Sequence, residues 1–189
     1  MKKIILALFV IFSLVIALPS CNFGVDDSNP DFDLLNDLCN KDFSSYTIKV
    51  AIEYANGGAL NEQYDVTVVE GVKNVNYKVE RFSGFDTNGD SISVPGNYVT
   101  TTEGTLTSSE ADEYALPEFN FSYKTLGSDM VVGRTLKANI VSLKGFAGID
   151  MSISNGSVKV EYTSSAVNNV AITFDTDSGN TVTVTYIFN

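Results

Sequence analysis

The sequence predicts a mainly β domain, an antiparallel meander shaped as a half-barrel or alternatively as a two-sheet sandwich, with one short N-terminal helix. Three observations predict it. From Tyr46 onward apolar residues recur at every second position, the period of a half-buried strand. Turn-forming pairs such as Glu70-Gly71 and Asn155-Gly156 separate those runs at hairpin spacing. The opposite faces of the last runs are rich in Thr, as on a sheet with one wet side.

The helix is expected over 30–40. Asn29-Pro30-Asp31 offers an N-cap, a first-turn proline and a first-turn acid. Phe32, Leu35 and Leu38 follow at helical spacing, flanked by Leu34 and Cys39, with Lys41 near the end. A three-stranded meander comes next. Ile48, Val50, Ile52 and Tyr54 lead to the turn Asn56-Gly57-Gly58, then Tyr64, Val66 and Val68 to Glu70-Gly71, then Val75, Tyr77 and Val79. The stretch 83–117 is the least regular, with Gly84, Gly89, Pro95-Gly96, Gly104 and Pro117 and one helical turn after Ser109. Phe119, Phe121 and Tyr123 suggest a strand, as do Leu136, Ala138 and Ile140. Asn155-Gly156 predicts a tight hairpin joining Ile149, Met151 and Ile153 to Val158, Val160 and Tyr162. Val170, Ile172 and Phe174, then Val182, Val184, Tyr186 and Phe188, make the final pair.

The first twenty residues have a different logic. Met1-Lys2-Lys3 is a short positive start, and Ile4 to Ala17 is an uncharged apolar run interrupted only by Ser13. A bilayer-spanning helix needs about 20 apolar residues, so this run suits a signal peptide rather than a permanent span. Leu18-Pro19-Ser20-Cys21 follows, and it resembles the lipobox of bacterial lipoprotein precursors, with Pro19 where a small residue is usual. The resemblance implies cleavage between Ser20 and Cys21 and a diacylglycerol group on the Cys21 thiol. It also implies a product held at the extracytoplasmic face of the cell membrane. Two acyl chains give a stable anchor where one does not. A Cys21–Cys39 disulfide is the competing use of the two cysteines. The position of Cys21 directly behind the apolar run favours lipidation, which leaves Cys39 as a buried small hydrophobe or a free thiol.

The expected organisation is therefore a signal peptide over 1–20, an acidic tether with the short helix over 21–43, and one β domain over 44–189. The whole chain of 189 residues carries a net charge of −11. Loss of Lys2 and Lys3 with the signal leaves ten basic and 23 acidic groups, a net of −13. That balance argues against nucleic acid, because phosphate binding needs clustered Lys and Arg. It argues equally against adsorption to anionic headgroups, so membrane attachment has to come from something other than charge.

The chain has no His, which removes Ser-His-Asp triads, His bases and His metal ligands. No phosphate-cradling glycine loop or nucleophile elbow is present. Ser122/Lys124, Ser142/Lys144 and Ser157/Lys159 would each share a strand face, as surface decoration. Asp86-Thr87-Asn88-Gly89-Asp90 and Asp175, Asp177 and Asn180 read as turns, since their spacing does not fit a calcium loop. No cofactor, metal or catalytic residue is expected. The half-barrel shape is similar to the carriers that move lipids or lipoproteins across the bacterial envelope, which implies a hydrophobic ligand against the concave face. Nine Tyr and, in the mature chain, ten Phe would line such a pocket or simply form the sheet core. The expectation is a non-enzymatic, membrane-anchored binding or carrier module, or alternatively a surface protein-interaction lipoprotein.

Overall fold

A computed structural model of the chain describes residues 30–55, 57–82, 99–106 and 108–189. Its centre is one open, nine-stranded antiparallel sheet. The first four strands are β1 (Ser45–Glu53), β2 (Ala59–Val69), β3 (Val72–Phe82) and β4 (Val99–Leu106). The last five are β5 (Leu126–Val132), β6 (Thr135–Ile140), β7 (Ser154–Tyr162), β8 (Val167–Asp175) and β9 (Thr181–Phe188). The order across the sheet is β4-β3-β2-β1-β9-β8-β7-β6-β5. Two meanders are thus joined where the first strand pairs with the last, Tyr46 against Phe188 through to Glu53 against Thr181.

The inner face is set by the period-two pattern. Tyr46, Ile48 and Val50 of β1 lie between Val66, Tyr64 and Glu62 of β2 and Phe188, Tyr186 and Val184 of β9. Val170 and Ile172 continue the row on β8, Val160 and Val158 on β7, and Leu136 and Ala138 on β6. The outer face is polar, with Thr173 and Thr183 hydroxyls 3.0 Å apart across β8 and β9. Strands lie about 4.8 Å apart, so nine span roughly 38 Å if flat, whereas a helix is only about 10 Å across. A single helix cannot cover that width, and residues from β1 to β3 and from β5 to β9 share one buried cluster with side chains of two short helices and of the segment that holds Phe119 and Phe121. One open sheet around one cluster is the half-barrel of the two expected shapes and not the two-sheet sandwich. The N-terminal helix is part of that cluster.

That helix, α1, spans Phe32–Cys39 and buries Leu35, Leu38 and Cys39. Its cap differs from expectation. Asp31, not Asn29, is the N-cap; its Oδ1 accepts from the Leu34 N–H at 2.9 Å, and Asp33 supplies the first-turn acid. Asp31 serves because its carboxylate reaches the third N–H directly, and Pro30 precedes it. With its apolar stripe in the common core, α1 belongs to the β domain.

Glu70 and Gly71 turn β2 into β3 with both φ values positive, 53° and 80°, the two-residue geometry that matches strand twist. Other expectations need correction. Asn155-Gly156 makes no hairpin: it is a bulge in β7, where the register to β8 slips between Ser154 and Ser157 and Asn155 takes φ 51°. β7 has β6 on one side and β8 on the other, so residues 149–153 have no strand to pair with. Their segment instead leaves the short helix α2 (Leu143–Ala147). Phe119, Phe121 and Tyr123 are not a sheet strand either. Residues 115–121 cross the concave face as an extended strap.

Side chains of α1 replace the missing strand partner. The Asn36 amide donates to the Phe121 C=O at 3.0 Å and accepts from the Phe121 N–H at 2.7 Å. One turn later Asn40 does the same for Phe119, at 2.7 and 2.8 Å. On the strap's other edge the Asn120 N–H donates to the Phe146 carbonyl at 2.8 Å. Phe119 and Phe121 are thereby held in the core, with Phe146 at ring-centroid distances of 5.7 and 5.1 Å and Tyr186 at 5.4 Å from Phe119. Each hydrogen bond is worth about 1 kcal/mol net, and stranding buried backbone groups costs about 1–3 kcal/mol. Asn36→Ala and Asn40→Ala should each lower the unfolding free energy by about 1–3 kcal/mol, read from the urea midpoint at unchanged slope. Because the two amides grip one strap, the double variant should lose a different amount from the sum of the singles.

Candidate functional site

The concave face is largely filled by the chain itself. Leu35 and Leu38 of α1, Phe119 and Phe121 of the strap and Phe146 of α2 are all buried in the cluster that the sheet curves around. One opening lies where α1, the strap and the β2–β3 hairpin converge. It is a cleft of about 510 Å³ that includes Cys39, Phe43, Tyr46, Val68 and Leu116.

Each wall has a local cause. Tyr46 enters the inner face at the first pairs of β1, and its hydroxyl donates to the Tyr114 carbonyl at 2.6 Å. Tyr114 belongs to a short 3-10 turn, Asp112–Tyr114, and its ring lies 4.3 Å from that of Tyr64. The Tyr64 hydroxyl donates to Glu62 Oε2 at 3.1 Å. Burial, then Tyr114 and Glu62, push the Tyr64 phenol well above its ordinary range. Burial also raises Tyr46. The Phe43 ring lies tilted against that of Phe188, with centroids 4.6 Å apart, and the Val68 N–H donates to the Ser44 carbonyl at 2.8 Å, which fixes the hairpin against the strand start. Lys41, Asp42, Lys73 and Glu118 bring two charges of each sign to the lining. Lys73 reaches Asp112 at 3.4 Å, an exposed pair worth at most about 1 kcal/mol. The cleft therefore brings apolar and charged side chains together in one lining.

Its cysteine is not an activated thiol. Cys39 is a free, buried thiol, and burial pushes its pKa up to about 12. At neutral pH almost none of it is thiolate, the reactive form. Among the described residues no group of three or more acids or cysteines is placed to hold a metal. The serine–lysine pairs are otherwise engaged. Ser142 caps α2, its Oγ accepting from the Gly145 N–H at 3.0 Å, and Ser122 lies 3.1 Å from Thr125 Oγ1 in a bend, so neither is on a strand face. Lys144 pairs with Asp150 and Lys159 with Glu161. Asp175 accepts from Asn155 Nδ2 and Thr181 Oγ1, both at 2.8 Å, and these bonds hold its carboxyl below the usual range. Ser20, Cys21 and Asp86–Asp90 lie outside the described residues. The cleft was not legible in the sequence, because its walls come from three separated stretches, 39–46, 68–73 and 116–118; Tyr46 and Val68 were visible only as strand pattern and Phe43 only as the end of the tether.

Comparison with protein-family models and with curated proteins finds no match for this chain. No helix among the described residues is long and apolar enough to cross a membrane.

The Cys39 environment has a pH signature. The thiol is ordinarily near 9 and lies near 12 in the fold, so the folded state holds the extra proton between those values. Its contribution is complete below pH 9 and is lost as pH rises toward 12. Cys39→Ala should flatten the alkaline fall of the unfolding free energy across that window. In the native chain at pH 8, Cys39 should resist a maleimide that labels it fully in urea.

Proposed function

We propose that this chain is an exported lipoprotein, cut before Cys21 and held by lipid on that cysteine at the extracytoplasmic face of the cell membrane. Its β domain is a non-enzymatic binding module for a hydrophobic or amphipathic ligand. The observation that carries the binding reading is the cleft of about 510 Å³ floored by Phe43, Tyr46, Val68 and Leu116. A volume of that size suits a small ligand or part of an acyl chain. The filled concave face favours this shallow site over a deep carrier cavity. A protein partner is the second reading, and it rests on Val69 and Val72, both exposed at the tip of the hairpin whose Val68 and Gly71 line the cleft.

Cys21→Ala tests the anchor: the product should leave the membrane fraction or stay unprocessed, and a processed, membrane-bound product would refute it. The same variant tests the ligand. Native mass spectrometry should show a lipid-sized adduct that Leu116→Arg removes while the circular dichroism stays unchanged. A clean apo mass under all conditions would leave the protein-partner reading.

A further inference from the structure

Among the described residues, the exposed large hydrophobic side chains fall at the two opposite ends of the strands. Val69 and Val72 flank the β2–β3 turn, and Val132 ends β5; these lie at the end that carries the cleft. Tyr123, Val141 and Met151, exposed at 62%, 65% and 51%, lie at the other end. Hydrogen bonds and contacts tie this second group together. The Val141 N–H donates to the Thr125 carbonyl at 2.8 Å, two residues beyond Tyr123. Met151 follows Asp150, whose carboxylate meets Lys144 of α2 at 2.8 Å. The start of α1 is there as well, with the Phe32 ring edge-on to Tyr123 at 4.8 Å.

The end with Tyr123 is also where the described chain begins. Pro30 stands nine positions after Cys21, and nine residues of chain reach no farther than about 30 Å in any conformation. β strands of this length are themselves about 30 Å long. An acylated Cys21 thus keeps the Tyr123 end within reach of the bilayer, whereas the cleft end stands a further strand length away.

From this we infer that the surface formed by Tyr123, Val141 and Met151 rests against the lipid headgroups of the anchoring membrane, and that the cleft faces away from it. The inference rests on the lipoprotein reading above. Tyr is suited to the interface, having an apolar ring and a polar tip, and Val and Met supply apolar area. Asp31, Asp33, Asp150 and Asp175 outnumber Lys124 and Lys144 at this end, so charge does not favour the contact, which depends on the apolar side chains.

The test uses the full, lipidated chain in protein-free vesicles of phosphatidylcholine and phosphatidylglycerol at four to one. Single variants Tyr123→Cys, Val141→Cys and Met151→Cys carry a nitrobenzoxadiazole probe, with Val69→Cys, Val72→Cys and Val132→Cys as the opposite end. Cys39 is buried and does not compete for label. Spin-labelled phospholipid should quench the first three probes several-fold more than the last three. Equal quenching at both ends, or stronger quenching at the Val69 end, in protein that floats with the vesicles overturns the orientation and leaves the anchor standing. Protein that does not float overturns both. Shielding of the first three probes in native membranes but not in protein-free vesicles assigns the face to a protein partner and also overturns the proposal.

Discussion

The fold depends on two asparagine amides used as backbone. A primary amide presents one donor and one acceptor in the same geometry as a peptide edge, and Asn36 and Asn40 sit one helical turn apart. A strap residue and the one two places on are about 6.5–7 Å apart, and a helical turn rises about 5.4 Å. The helix can therefore pair with alternate residues of an extended segment as though it were a strand. Without that pairing, the N–H and C=O groups of Phe119 and Phe121 would enter an apolar interior unpaired, at a cost that would expel the segment. With it, both rings can be carried into the concavity.

The rest of the core follows. An open sheet has one apolar face to cover, and a single eight-residue helix does not cover nine strands. Phe119 and Phe121 fill the space beside α1, and Phe146 completes an aromatic group against Tyr186 of β9. The pairing of β1 with β9 holds the two meanders together, so strands far apart in sequence present one continuous surface to that group. An opening is left at the C-terminal end of α1, lined also by the start of the strap and by Val68, Gly71 and Lys73 of the β2–β3 hairpin. The site is thus a consequence of how the concave face is filled.

Much of this was legible in the sequence, and the exceptions have physical reasons. The strands that combine regular alternation with two neighbours, such as β1 and β8, were read correctly because every second residue must meet the core. β4 escaped notice because it is an edge strand: Thr102 and Gly104 stand where apolar residues would mark an inner face. Glycine at 104 leaves room for the Tyr77 ring, which would lie within 3 Å of an added Cβ and would have to move for any other residue. β5 was hidden by a register shift between Leu126 and Asp129 that breaks the alternation. Asn155-Gly156 carried a strong hairpin signal, and tertiary pairing of β7 on both edges overrode it. The strap looked like a strand and is extended as one, but its partners are side chains, which no periodicity reveals. The lipobox-like stretch Leu18–Cys21 is the opposite case: an expectation drawn from a local signal alone, on residues outside the described structure.

The central claim is that the strap is a structural member and not a surface loop. Native-state hydrogen exchange at the Phe119 and Phe121 amides tests it most directly. Bonded to Asn40 and Asn36 and buried, both should exchange only through global unfolding, with protection equal to that of the β1 and β8 amides. Exchange at these two amides on the time scale of an exposed loop, while the sheet stays protected, would contradict the account.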